Sequence, residues 1–421
     1  MNQEVRQSSN EDRRLFYGYI IVLAAFITQV VMFGPRSSFG VFFKPLLTDF
    51  GWTRALLSGA FSFSTIIQGL SGIFWGSLND KLGPRVVMTI CGFLLGLGYM
   101  LLSQIGAAWH LYLFYVVIIG VGMGGIYAPP TSTVARWFVK KRGLMIGIVV
   151  SGGGVGGLIL PPLSNWLISI YGWRDAFLII GVVVAVAIIL AAQFLRRDPA
   201  QMGQLPYGGN PRREQDINLD TEGFSLREAI RTRQLWMTVA MLFCFGVCLI
   251  TITVHIVPHA TDQGISAATA ANILATLNGA LLIAGIALGV IADKIGNRKT
   301  FIICFILMAA ALFWLLTTRE TWQFYLFAVV MGFGGGGAAA LVSPLAAEIF
   351  GMRSHGLLVG IMVFCVTLGA AFGPFMAGYV FDTRGSYQTA FLICATVSVI
   401  GLILASLLGP TGSRKSQTEL L

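Results

Sequence analysis

The sequence predicts an all-α membrane protein of twelve spanning helices arranged as two six-helix halves, and three observations predict it. The chain of 421 residues is 56% apolar and only 11% charged, against roughly 25% charged in an ordinary soluble domain. Its mean hydropathy of +0.79 leaves too few charged side chains to cover a water-facing surface, so much of the exterior must face lipid. Twelve apolar runs divide the chain, each near the about 20 residues that cross a hydrocarbon core about 30 Å thick. Finally, a repeat at a fixed offset of 213 residues relates the first six runs to the last six.

The runs lie at about 17–41, 53–78, 86–106, 110–135, 144–170, 174–195, 235–257, 268–292, 300–317, 322–347, 356–380 and 388–408. They are long and continuous, whereas a barrel strand is about ten residues of strict alternation, so they read as helices. The 51 glycines fit this reading. Small residues let helices approach closely in lipid, and Gly120 to Gly125, Gly152 to Gly157 and Gly332 to Gly337 are expected as packing faces. Arg6, Arg13 and Arg14 precede a first run without a small-residue cleavage site, so that run is expected to stay as a span.

Of the 28 Lys and Arg residues, 22 fall on the side of the membrane that carries both termini. The other six are Arg36, Lys44, Arg54, Arg174, Arg319 and Arg384. By the positive-inside rule the termini are expected in the cytoplasm and the chain in the plasma (inner) membrane. The net charge of +10 therefore reads as topology; the bases form no stripe with stacking aromatics, so nucleic acid is not an expected partner. All six cysteines sit in apolar runs without CxxC spacing, which indicates neither disulfides nor zinc.

The expected organisation is an N-terminal half at 1–195, a polar cytoplasmic linker at 196–234 and a C-terminal half at 235–421. Late in the linker, Ser225 and Glu228 have capping-box spacing. That stretch fits a short helix on the membrane face or an extension of the seventh span.

The segment GSLNDKLGPR (76–85) recurs as GVIADKIGNR (289–298). Gly76, Asp80 and Arg85 match Gly289, Asp293 and Arg298, and the same register pairs Gly143 with Gly356, Pro161 with Pro374 and Gly172 with Gly385. These residues resemble the G-x-L-x-D-x-x-G-x-R signature of the major facilitator superfamily, carried by the loop between the second and third helices and repeated in the other half. The resemblance implies two parallel six-helix halves and alternating access. The six motif residues are expected to form a conformational gate, since a carboxylate and bases at helix ends can pair on one side of the membrane and separate when the halves rock.

Closer resemblance is to the monocarboxylate porter branch, including the bacterial oxalate and formate exchangers. It rests on FGPRSSFGVFFKPL (33–46), WFVKKRGLMIGIVVSGGGVG (137–156) and VHIVPHATDQGIS (254–266). The branch commonly carries an arginine in the eighth helix, with an acid or amide one turn earlier. Those places hold Gly285 and Leu281 here, so one of the two carboxylate clamps that the resemblance implies is missing.

Arg36 matches the family's basic position. It lies about nineteen residues into the first run, a rise of roughly 28 Å, and is expected in the outer part of that helix. Gln29, Phe33 and Arg36 share one face by seven- and three-residue spacing. A guanidinium in hydrocarbon costs at least about 2.5 kcal/mol, so Arg36 reads as a substrate contact, the alternative being an arginine that snorkels to the interface. Tyr127, ahead of Pro129 and Pro130, and Asn278 in the eighth run are candidate cavity residues. His255 is either a hydrogen-bonded structural residue or the carrier of a proton.

No HExxH, GxSxG or P-loop is present, so neither an enzyme nor an ATP-driven pump is indicated, and no cofactor or metal is expected. The reading is a secondary transporter of small organic anions, chiefly monocarboxylates, working by proton symport or anion exchange as a monomer. Its alternatives are a carrier of neutral or amphipathic compounds and a transport-inactive membrane sensor. In intact cells, single cysteines introduced by Asn210→Cys and Lys415→Cys should resist an impermeant thiol reagent added outside, whereas Lys44→Cys and Arg384→Cys should react. Reaction at 210 and 415 alone would invert the topology.

Overall fold

The computed structural model describes residues 16–208, 223–351 and 353–409; the side chains of Arg142, Asp293 and His355 also lie outside the description. The spans are α1 (Tyr17–Phe50), α2 (Arg54–Leu82), α3 (Pro84–Leu102) and α4 (Ala108–Trp137). A continuous helix Arg142–Phe194 follows, broken at Gly172 where φ is 79°, which divides it into α5 (142–171) and α6 (173–194). Next come α7 (Arg233–Asp262), α8 (Ala267–Ile295), α9 (Asn297–Leu315), α10 (Thr321–Phe350), α11 (His355–Arg384) and α12 (Gln388–Leu407). Large apolar side chains stay uncovered around the bundle, Ile73 at 77% and Ile286 at 68% exposure, as a lipid-facing surface requires.

Each half builds its own core. One runs from Ile21 to Leu195 and the other from Ala229 to Leu408, and each borrows one residue from the opposite half, Val254 and Val41. The 213-residue register reaches the backbone. Gly51 and Gly264, Gly83 and Gly296, and Gly172 and Gly385 are pairs in that register, and all six have positive φ, where a side chain would be strained. Thr53 and Ser266, also in register, each cap a helix by accepting from the N–H of the third residue on.

Helix α1 is longer than its apolar run. It bends at Ser38, where the Ser37 and Ser38 hydroxyls and the Ser38 N–H all converge on the Gly34 carbonyl, next to Pro35, and then continues to Phe50. Arg36 therefore lies at mid-depth in this helix, not in its outer part as the shorter run predicts.

The glycine stretches are packing faces. Cβ atoms at Gly152 and Gly156 would collide with the α1 backbone at Phe26 and Val30, those at Gly332 and Gly336 with α8, and one at Gly124 with α2, against which Gly120 also packs tightly. Both described ends of the linker are stitched to loops. Tyr207 exchanges backbone bonds with Trp137, Val139 and Lys140, and the Phe224 N–H donates to the Phe350 carbonyl over 2.8 Å. Ser225 and Glu228 form the reciprocal capping box on a one-turn helix, Leu226–Ala229, separate from α7, which Thr232 caps anew. The Ser225 N–H holds the Glu228 carboxyl below its ordinary pKa. Residues 209–222 of the expected linker lie outside the described residues.

Two helix pairs carry the seam between the halves, and both diverge toward the termini. On α5, Gly154 and Gly157 abut Leu282 and Asn278 of α8, but Gly143 and Gly147, on the same helical stripe nearer the termini, meet nothing within 4 Å. On α11, Gly378 is pressed against Arg54 and Ser58 of α2, whereas Gly360 on that stripe meets nothing within 4 Å. The molecule is closed on the face remote from the termini and open on the terminal face. Gly156→Leu should therefore cost more than the ~1–3 kcal/mol of ordinary overpacking and sharply reduce detergent-stable protein. Gly147→Ala should leave the yield and melting temperature unchanged, both read by size-exclusion after heating.

Candidate functional site

Phe61, Ser64 and Thr65 stand at i, i+3 and i+4 on α2 and so present one face. Arg36 from α1 lies on that face, only 8% exposed. One terminal nitrogen donates to Ser64 Oγ over 3.3 Å and the other to Thr65 Oγ1 over 2.6 Å. The guanidinium carbon sits 4.6 Å from the centre of the Phe61 ring. Thr65 in turn donates to the Phe61 carbonyl over 2.9 Å, which turns its lone pairs toward the arginine. No carboxylate pairs with Arg36 among the described residues. The side chain thus does not snorkel. It is a buried cation held by neutral groups.

Arg36 lines a cavity of about 80 Å³ between the halves. Phe33, Ser37, Phe39, Gly40 and Phe61 complete its wall from the first half, and Leu249, Ile250, Thr253, Val254, Asn278 and Leu281 form the wall from the second. Gly40 shuts the remote end by packing on the α7 backbone, where a Cβ would come within 2.7 Å of the Val254 carbonyl oxygen. Gly285, at the place of the absent eighth-helix arginine, faces α10 and lies outside this lining.

The structure brings together Phe33, Arg36 and Asn278 of the expected site residues, and not the others. Gln29 donates instead to the Ile126 carbonyl of α4; seven residues along a helix is about 10 Å of rise, so the same face meets a different neighbour. Tyr127 is not in the lining. It begins the last stretch of α4 and is 49% exposed. His255 is fully buried with both ring nitrogens engaged, Nε2 by the Pro374 carbonyl and Nδ1 by the Tyr387 hydroxyl, each at 2.9 Å. A carbonyl can only accept, so Nε2 carries the proton and Nδ1 accepts from the tyrosine. That arrangement fastens α7 to α11 and α12.

The sequence motifs take their places at the terminal face. Asp80 pairs with Arg136 at 3.3 Å, and Arg136 reaches Asp198 at 3.6 Å. Arg85 Nε donates to Gln193 over 2.7 Å, and Arg298 donates to the carbonyls of Ala405 and Ser406. The two arginines thus tie the third helix of each half to the sixth. Gly76 and Gly289 have no close neighbour, and the Asp293 side chain lies outside the described residues. These contacts stay within one half, as the open terminal face requires.

A charge cluster that the sequence did not single out closes the remote face. Arg54 at the start of α2 pairs with Asp262 of α7 at 2.8 Å, donates to the Tyr387 hydroxyl over 2.7 Å and stacks 3.7 Å above the Phe381 ring. The carboxylate of Asp382 accepts from the N–H groups of Arg54 and Ala55 at 3.0 and 2.7 Å, capping α2 from the opposite half. Asp49, in register with Asp262, instead takes Trp173 and Arg174 of its own half at 2.8 and 3.1 Å.

The Major Facilitator Superfamily is matched over residues 25–282 and 256–420. The chain belongs to that family. It is 28% identical over 410 residues to the oxalate:formate antiporter of Oxalobacter formigenes, covering 95% of this chain and 93% of the relative. It is 24% identical over 400 residues to monocarboxylate transporter 13 of Rattus norvegicus, covering 91% and 87%. Among solved structures it is similar to a bacterial homolog of the human lysosomal transporter Spinster in an inward-facing and occupied conformation. That likeness has a TM-score of 0.74 at 17% identity over 94% of this chain and 97% of the other. This major facilitator protein is an integral, multi-pass membrane transporter.

Because Arg54 spans the two halves, Arg54→Ala should weaken closure of the remote face by about 1.4 kcal/mol, a tenfold shift in population. A cysteine introduced by Ser37→Cys in the cavity should then react about tenfold faster with an impermeant reagent applied from that face. An unchanged rate would show that the cluster does not hold the face shut.

Proposed function

We infer that this protein carries small organic anions, chiefly monocarboxylates, by alternating access, with Arg36 as the anion's principal contact. The observation that carries this reading is the missing partner. A guanidinium buried between spans is costly without a compensating charge, yet among the described residues Arg36 has two hydroxyls and an aromatic face. A carboxylate bound in the cavity supplies the missing charge. The relatives described as monocarboxylate transporters and as an oxalate:formate antiporter support the anion class. Phe33 and Asn278, which line the same cavity, complete the contact surface in this reading.

In this reading the terminal face is cytoplasmic and the membrane is the plasma (inner) membrane, as the distribution of bases favours. Residues 196–234 link the halves while they rock, and Gly76, Asp80, Arg85 and their counterparts Gly289, Asp293 and Arg298 form the gate at the cytoplasmic face. Charge balance comes from a co-transported proton or from exchange with a second anion. No titratable group other than Arg36 lines the cavity among the described residues, so any proton travels with the substrate.

Arg36→Ala should weaken carboxylate binding to purified protein by roughly 30- to 100-fold, about 2–2.7 kcal/mol, and abolish liposome uptake. Arg36→Lys should retain part of the affinity, because it keeps the charge but loses the fork that fits a carboxylate. Unchanged affinity in folded Arg36→Ala protein would favour a carrier of neutral or amphipathic compounds. Wild-type binding without any uptake would favour a sensor.

A further inference from the structure

We propose that the junction between the linker and α7 is a docking site for an anionic phospholipid, with Arg227, Arg231 and Arg233 holding the phosphate and Trp236 seating the chains. The site lies at the terminal face, outside the Arg36 cavity, and does not depend on what that cavity carries.

Local backbone geometry brings the patch together. Arg227, Ile230 and Arg231 stand at i, i+3 and i+4 on the one-turn helix and the turn that ends it, where the Ile230 N–H still donates to the Leu226 carbonyl over 2.9 Å. Arg233 and Trp236 are i and i+3 on the first turn of α7. The Trp236 indole N–H donates to the Ile230 carbonyl over 2.9 Å and so joins the two faces. All five side chains are exposed, Trp236 by 62% and Ile230 by 44%, while Ala229 and Leu235 turn into the core.

The three bases lack a counter-charge. None has a carboxylate within 4 Å among the described residues, whereas Arg54, Arg136 and Arg174 each do. Glu228 beside them is engaged, accepting from the Ser225 N–H over 2.7 Å and facing Arg353 at 3.8 Å. α7 begins at Arg233, so the positive end of its dipole adds to the bases. A guanidinium fork fits two oxygens of a phosphate diester. A choline group would bring its own cation against these arginines, so the lipid that fits carries net negative charge.

Depth favours a lipid over a soluble phosphate. α7 has 30 residues, a rise of about 45 Å against a hydrocarbon core of about 30 Å, which leaves roughly five residues at each end in the headgroup layer. Trp236 is the fourth residue of α7, at the depth where indoles collect. Exposure continues down the helix at Ala240 and half-buried Phe243, i+4 and i+7 from Trp236. The Phe243 ring stands 6.1 Å from that of Phe372 on α11, itself 53% exposed. This stripe offers an acyl chain an apolar bed directly below the arginines.

Each base beside an anionic headgroup contributes about fivefold in affinity. The test titrates the purified protein in nonionic detergent with dioctanoyl phosphatidylglycerol and follows the first lipid adduct by native mass spectrometry. That adduct should form at least about tenfold more tightly than the one with dioctanoyl phosphatidylcholine. Replacing the three arginines together by Gln should weaken it at least about 30-fold, and replacing them by Lys should restore most of the affinity. The same loss of charge at exposed Lys140, Lys141 and Lys299, each to Gln, should change it by no more than about twofold. A triple Arg→Gln protein that loses no more affinity than this control, or phosphatidylcholine matching phosphatidylglycerol in the wild type, would overturn the proposal. Glycerol phosphate binding as tightly as the lipid would overturn it too, since the chains would then contribute nothing.

Discussion

Hydrocarbon offers no partner to a backbone amide, so every span must satisfy its own hydrogen bonds and behaves as a stiff rod. Movement is left to the surfaces between rods, and here those surfaces are stripes of glycine. Gly156 against Val30 and Gly336 against Leu281 lock helices inside a half, backbone to backbone. Between the halves the approach is close over part of the length, as at Gly40, Gly154, Gly157 and Gly378. A structure with tight intra-half contacts and partial inter-half contacts moves as two bodies about one seam.

The chemistry is unevenly divided across that seam. The first half brings the cation and the hydroxyls that hold it, while the second brings apolar side chains with the Thr253 hydroxyl and the Asn278 amide. At the remote end the roles of charge are shared. Arg54 comes from the first half, and Asp262, Asp382 and Tyr387 come from the second. On the proposed reading substrate recognition needs both halves in register, and so does closure, but the two use separate side chains, Arg54 lying about three turns before Ser64 and Thr65 on α2.

The fold was legible because a membrane reduces the problem to run length, charge asymmetry and repetition. The break at Gly172 between the fifth and sixth runs and the motif glycines 83 and 296 follow directly from the sequence register. Arg36 was legible for the same reason, since a charge inside an apolar run is conspicuous. Its depth was not, because the bend at Ser38 extends the helix beyond the apolar run. Nor were Ser64, Thr65 and Phe61, whose i, i+3, i+4 spacing marks a face without saying which helix meets it. Gln29 failed for the converse reason: sharing a helical face with Arg36 does not give it the same neighbour two turns away. The Arg54 cluster joins four helices distant in sequence, and one chain without a contact map holds no trace of it.

A cation held only by neutral groups leaves its site with a net positive charge until an anion arrives, and a full charge carried through 100 mV is worth about 2.3 kcal/mol. On the proposed reading, a site that crosses the membrane holding a deprotonated anion in both directions, as in exchange, is close to neutral each way and feels little of the membrane potential. A proton carried with the anion restores the charge, and with it the response of each half-cycle to voltage.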